Sequence, residues 1–132
     1  MLDPDNVADV NNSEMLARYA TQSSHFRRID WTAKQDLFFP HPHIELSVTR
    51  HINATEDEMW QIGRNVAELQ NKTLYGRADV KAEVFIEQEL TLRKAPLANN
   101  PNHANTVGWA TDKPNQKSKA QLIAAKSTFV KV

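Results

Sequence analysis

Ile44-Glu45-Leu46-Ser47-Val48-Thr49-Arg50 is the stretch that decides the fold. Its apolar residues recur at every second position. Ile44, Leu46 and Val48 fall on one side of an extended chain, and Glu45, Ser47 and Thr49 on the other. One apolar side and one polar side predict a half-buried strand, unlike the near-continuous apolar strands of a parallel sheet. Shortly afterwards the period changes. Thr55-Glu56-Asp57-Glu58 has the form of a capping box, with Thr55 as N-cap and Glu58 reaching back to its N–H. Met59, Ile62, Val66 and Leu69 follow at helical spacing and predict one apolar stripe on a helix over 56–70.

Upstream, Leu37-Phe38-Phe39 is an apolar cluster stopped by Pro40 and Pro42, which forbid a helix and leave 40–43 extended or turning. His25 to Trp31 reads as a short edge strand. Ser13 stands as a cap before Glu14 to Ala20, which predicts a short helix. Residues 1–12 are rich in Asp and Asn without a period, which predicts a flexible lead-in to a single globular domain over 13–132.

Downstream, Val80, Ala82, Val84 and Ile86 alternate with Lys81, Glu83, Phe85 and Glu87, predicting a second half-buried strand, with Leu90 and Leu92 keeping the same parity. The polar run 98–105 reads as a loop and Thr106 to Trp109 as a short strand. Asp112 then caps a helix with Pro114 in its first turn and Ala120, Ile123 and Ala124 on its apolar side. Thr128 to Val132 closes as a strand. Neighbouring strands interrupted by helices predict an α+β domain, a mostly antiparallel sheet with two main helices packed on one face.

A chain of 132 residues is the size of one domain with one core. It has no cysteine, which excludes thiolate metal sites and cysteine nucleophiles. No run approaches the roughly eighteen apolar residues of a membrane span, and the acidic opening Met1-Leu2-Asp3-Pro4-Asp5 is unlike a secretory signal; the cytoplasm is the expected compartment. Net charge is zero but unevenly placed. Residues 1–66 hold 6 Lys and Arg against 10 Asp and Glu, and residues 67–132 hold 10 against 6. Lys113, Lys117 and Lys119 belong to an acid-free lysine run that either binds nucleic acid weakly or forms a solvated helix face.

His41, His43 and His51 lie close together with Glu45 nearby, but Pro42 and the missing helical ligand spacings argue against a metal, and no metal or cofactor is expected. With three glycines in the chain, a glycine-rich phosphate loop is absent, and so is Gly-x-Ser-x-Gly. Asn99-Asn100-Pro101-Asn102-His103-Ala104-Asn105 is the most site-like run. Asn100, Asn102 and Asn105 can offer paired donors and acceptors to a ligand, and His103 is a candidate catalytic base. Amides equally tighten their own turns. Arg50, Arg77 and His43 are candidate binders of an anion; for Arg50 and Arg77 the competing reading is an ion pair with Asp79, Glu45 or Glu56.

Phe26-Arg27-Arg28-Ile29, Leu46-Ser47-Val48-Thr49-Arg50 and Asn100-Pro101-Asn102-His103-Ala104-Asn105-Thr106-Val107-Gly108-Trp109 together resemble, in that order, a set of small bacterial proteins. The resemblance implies a bacterial origin and carries no activity. Two functions follow from the residues. One is a small accessory or protein-interaction domain without catalysis, binding another protein or itself through the sheet face or through Leu37-Phe38-Phe39. The alternative is an enzyme acting on a nucleotide or phosphorylated substrate, with His103 and the strand-end arginines.

Overall fold

The computed structural model describes residues 1–40 and 44–132, so the expectations for His41 and His43 lie outside the described residues. In chain order the strands are β1 (Met15–Ala20), β2 (Phe26–Arg27), β3 (Thr32–Ala33), β4 (Leu46–Arg50), β5 (Gly76–Lys81), β6 (Thr91–Lys94), β7 (His103–Val107) and β8 (Thr128–Lys131). The helices are α1 (Glu56–Leu69), α2 (Ala82–Glu87) and α3 (Lys113–Ala125), and single 3₁₀ turns lie at Ser23–His25 and Gln35–Phe38. Six strands form one antiparallel sheet in the order β6-β7-β4-β1-β5-β8, and β2 and β3 pair separately. This is an α+β domain with two main helices.

The helices divide between the two faces of the sheet instead of sharing one. Alternation along β1 decides this. Ala17 and Tyr19 pack with Met59 and Ile62 of α1, while Leu16 and Ala20 belong to the main core with Ala120, Ile123 and Ala124 of α3. Gly63 lets α1 lie close over β1: a Cβ there would stand 2.7 Å from the Tyr19 ring. Leu37 and Phe38 are fully buried in the main core, Phe38 edge-on to Phe85 at 6.3 Å, while Phe39 is half-buried.

The capping box forms as read: Glu58 N donates to Thr55 Oγ1 at 3.1 Å and Thr55 N to Glu58 Oε1 at 2.9 Å. Asp112 caps α3 by accepting from Asn115 N. Elsewhere the structure differs. Met15–Ala20 is strand, not helix, because the Ser13 hydroxyl donates to Asn11 Oδ1 and both edges of the segment find ladder partners. Five good helix formers, Met15, Leu16, Ala17, Arg18 and Ala20, lose to sheet pairing here, since propensity differences are only tenths of a kcal/mol each. The alternating run from Val80 stops at Lys81. Its continuation coils into α2, whose opening N–H groups of Ala82 and Glu83 find the carbonyls of Glu14 and Asn12. The strand read as Thr106 to Trp109 is β7, which starts earlier, at His103, and the turn before it is closed by Leu97 and Asn100.

Residues 1–12, read as a flexible lead-in, lie against the domain. Leu2 and Val7 are buried, and Leu2 N donates to Asn102 Oδ1 at 2.8 Å.

Candidate functional site

The two central strands, β1 and β4, are paired only through Leu16 with Arg50 and Ala17 with Thr49. Beyond that point β1 continues to Ala20 against β5 alone, and β4 runs back to Leu46 against β7 alone. The sheet is therefore two three-stranded halves joined at one end and forked at the other. Arg18 sits in the fork. Its Nε donates to Leu37 O at 3.0 Å and its Nη1 to Ser47 O at 3.1 Å. Divergence of neighbouring strands creates a crevice, the same geometry by which open sheets bind ligands.

A cleft of about 700 Å³ fills this fork, within the size of small-ligand sites. Because the fork passes through the sheet, residues of both faces line it. Tyr19, Ile62 and Val66 come from the α1 side, Thr49 and His103 from the uncovered strands β4 and β7, and Arg18, His25 and Asp36 from the forked end. α1 covers β1 and reaches Arg77 of β5, which leaves Ser47, Thr49 and His103 as a polar floor beside it. Two exposed leucines stand in the same lining, Leu69 on α1 at 79% exposure and Leu97 before β7 at 48%.

His103 lines the cleft and is half-buried. Its Nδ1 lies 2.8 Å from Ala95 O. A carbonyl only accepts, so Nδ1 carries the hydrogen and Nε2 is the basic nitrogen of the neutral ring. Among the described residues no carboxylate is bonded to it.

The amides divide. Asn102 is wholly buried and spends every polar atom inside the fold: Oδ1 accepts from Leu2 N, and Nδ2 donates to Arg50 O and Ile52 O, each at 2.8 Å. Asn100 lines the cleft but turns its Nδ2 to Thr49 Oγ1 and its Oδ1 to Asn102 N. Asn105 is outside the lining, opposite Ser47 in the register, and accepts from Ser47 Oγ at 3.4 Å.

The strand-end arginines are not brought to His103's cleft. Arg50 is fully buried in a two-bond pair with Glu14, both contacts 2.7 Å, and also donates to Ala8 O and Asp9 O. Arg77 bonds Asp79 and both oxygens of Glu56, with its guanidinium 4.6 Å from the Trp60 ring centre. Asp79 also takes His51 Nε2 at 2.8 Å. Among the described residues no group of three or more His, Asp or Glu is placed to hold a metal.

The forked end carries charge that the sequence reading missed. Burial lowers the Arg18 pKa to about 10. His25 falls to about 4, through burial first and then the charges of Arg18 and Lys72, with Asp36 opposing. Thr21 N donates to His25 Nδ1 at 3.2 Å, so the neutral ring holds its proton on Nε2. Lys72 is set by the end of α1. Asn71 takes a left-handed conformation (φ 53°), and Lys72 N closes on Ala67 O at 2.8 Å while Asn71 N closes on Glu68 O. The signal for Arg18 was its place between Leu16 and Ala20: once Met15–Ala20 is a strand, a charge stands in its apolar row.

Comparison with protein families, curated proteins and solved structures finds no match to this chain.

Proposed function

We propose that this chain is a non-catalytic binding domain that takes a segment of a partner protein into the cleft at the forked end of its sheet. One observation carries the reading: exposed Leu69 and Leu97 belong to the same cleft as a floor of hydrogen-bonding side chains. Exposed leucines beside a polar floor suit a peptide, which brings apolar side chains and its own N–H and C=O. The enzyme reading draws less support, because Arg50 and Arg77 are both committed to internal carboxylates. No helix among the described residues is long and apolar enough to cross a membrane. A bacterial origin and the cytoplasm belong to the same proposal.

Selection from a random peptide library displayed on phage tests it. The expected result is convergence on a shared motif whose binding is lost in Leu69→Asp and Leu97→Asp. Both substitutions are at exposed positions and leave the core alone. No convergence, or binding indifferent to both, overturns the reading.

A further inference from the structure

We propose that Arg18, His25 and Lys72 form a carboxylate subsite at the forked end of the cleft, so that the segment it receives is acidic. The inference rests on the cleft being a peptide site.

Buried guanidinium groups in proteins are seldom left without a carboxylate, because desolvation is costly unless the charge is paired. This chain follows the rule twice. Arg50 is held by Glu14, and Arg77 by Glu56 and Asp79. Arg18, half-buried where the cleft opens, departs from it. Its partners are two carbonyls, and among the described residues no acid lies within ion-pair distance. Of the five N–H donors of a guanidinium, those of Nη2 and one of Nη1 are unspent on the described residues. Two adjacent nitrogens with free hydrogens are the arrangement that takes a carboxylate through two parallel bonds.

The surroundings have the same sign. Lys72 lines the cleft without an acidic partner among the described residues, and Asp36 is the acid of the lining against Arg18, Lys72 and Lys117. His25, neutral with Nδ1 occupied by Thr21 N–H, has Nε2–H left to donate. An anion there meets a guanidinium, an ammonium and an imidazole N–H and restores the charge balance that the other two arginines already have. Burial is what lowers the proton affinity of Arg18 and the first cause at His25, where the charges of Arg18 and Lys72 add to it.

Nitrogen-15 NMR titration of the full chain tests this with five probes: succinate, its neutral diamide, inorganic phosphate, and the blocked tripeptides Leu-Glu-Leu and Leu-Gln-Leu. The expected result is that succinate, and not its diamide, shifts the Arg18 and His25 side-chain signals. The Glu tripeptide binds roughly tenfold tighter than the Gln one. Lys72→Gln and His25→Asn each reduce that ratio, and both stand if Arg18→Gln fails to fold. Equal binding of the two tripeptides, with Leu69 and Leu97 shifting, overturns the carboxylate subsite and leaves the cleft reading intact. Succinate shifts at Arg18 with neither tripeptide reaching Leu69 keep the subsite and overturn the peptide reading. Phosphate binding tighter than succinate overturns the carboxylate assignment in favour of a phosphoryl ligand.

Discussion

Arg18 and Arg50 stand on the same face of neighbouring strands, yet one holds the sheet together and the other stands where it parts. Arg50 is opposite Leu16 in the register and reaches Glu14, just ahead of β1, so it fastens β4 to β1 at the joined end. Arg18 lies beyond the last ladder pair and spans the gap to Ser47 O at 3.1 Å. The difference in partners follows from the difference in solvent. The joined end is dry and needs a carboxylate to hold a charge. The forked end opens on a cleft, where carbonyls and solvent suffice.

Removing one member of the Arg50–Glu14 pair strands the other in the interior. Glu14→Gln or Arg50→Met is expected to lower stability by about 3–5 kcal/mol, the cost of an unpaired buried charge. The double variant Glu14→Leu with Arg50→Met recovers much of that loss. Urea unfolding of the three proteins measures it; equal losses in the double and single variants would show that the carbonyls of Ala8 and Asp9 matter more than the ion pair.

His103 has a tautomer set by its backbone partner. The expected two-bond nitrogen-15 spectrum at neutral pH shows Nδ1 protonated and Nε2 bare, since Nδ1 faces Ala95 O at 2.8 Å. The opposite tautomer would mean that this hydrogen bond is not made in solution.

His25 makes stability depend on pH in a defined window. Burial, Arg18 and Lys72 hold its folded pKa near 4, against an ordinary value of 6.5. The unfolded chain therefore takes up a proton as pH falls through 6.5 while the folded chain does not. The stability contributed by the neutral ring is complete above that value, declines as pH drops, and levels off near 4. Because the ring is only partly buried and solvent screens it, the full loss is about 1–2 kcal/mol, less than the two pKa values alone would give. His25→Asn keeps an acceptor for Thr21 N–H and is expected to flatten this part of the profile. A wild-type and variant curve that run parallel from pH 7 to about 4 would contradict it.

Asn102 ties its own turn to two distant parts of the chain, Leu2 and the segment of Arg50 and Ile52. Asn102→Ala leaves one N–H and two carbonyls in the interior without partners. The expected loss is about 3 kcal/mol, at roughly 1 kcal/mol for each bond. Hydrogen exchange checks the link as well: the Leu2 amide, protected in the native chain, should exchange freely in the variant.

Contacts of short sequence range were legible in the sequence, and those of long range were not. The Thr55 box and the alternation of Leu46 to Arg50 are local patterns, and they survive in the fold because nothing distant competes with them. Met15–Ala20 was misread for the converse reason: Met, Leu, Ala and Arg are good helix formers, and two ladders outweigh them. The Asn-rich run was recognised as unusual, but its meaning lay far away in the sequence, in Leu2 and Thr49. The fork was illegible altogether, because it depends on which neighbour each half of β1 and β4 chooses.

Gly63 sets how closely α1 approaches the sheet, and two opposing effects decide what Gly63→Ala does. Alanine in a helix interior gains about 1 kcal/mol over glycine. Against this, the new methyl would stand 2.7 and 2.8 Å from two carbons of the Tyr19 ring and 3.2 Å from Leu74. A free ring could swing aside, but Tyr19 is tethered by its hydroxyl to Met59 O at 2.5 Å and is buried between helix and sheet. Overpacking of this kind costs about 1–3 kcal/mol. The clash is therefore expected to win, with a net loss of about 1 kcal/mol and a shift of the Tyr19 ring signals. Relieving the ring in Tyr19→Leu should turn the same glycine substitution stabilising. If Gly63→Ala stabilises both backgrounds equally, the ring does not limit how near α1 comes to β1, and the helix wall of the cleft is set by Leu74 instead.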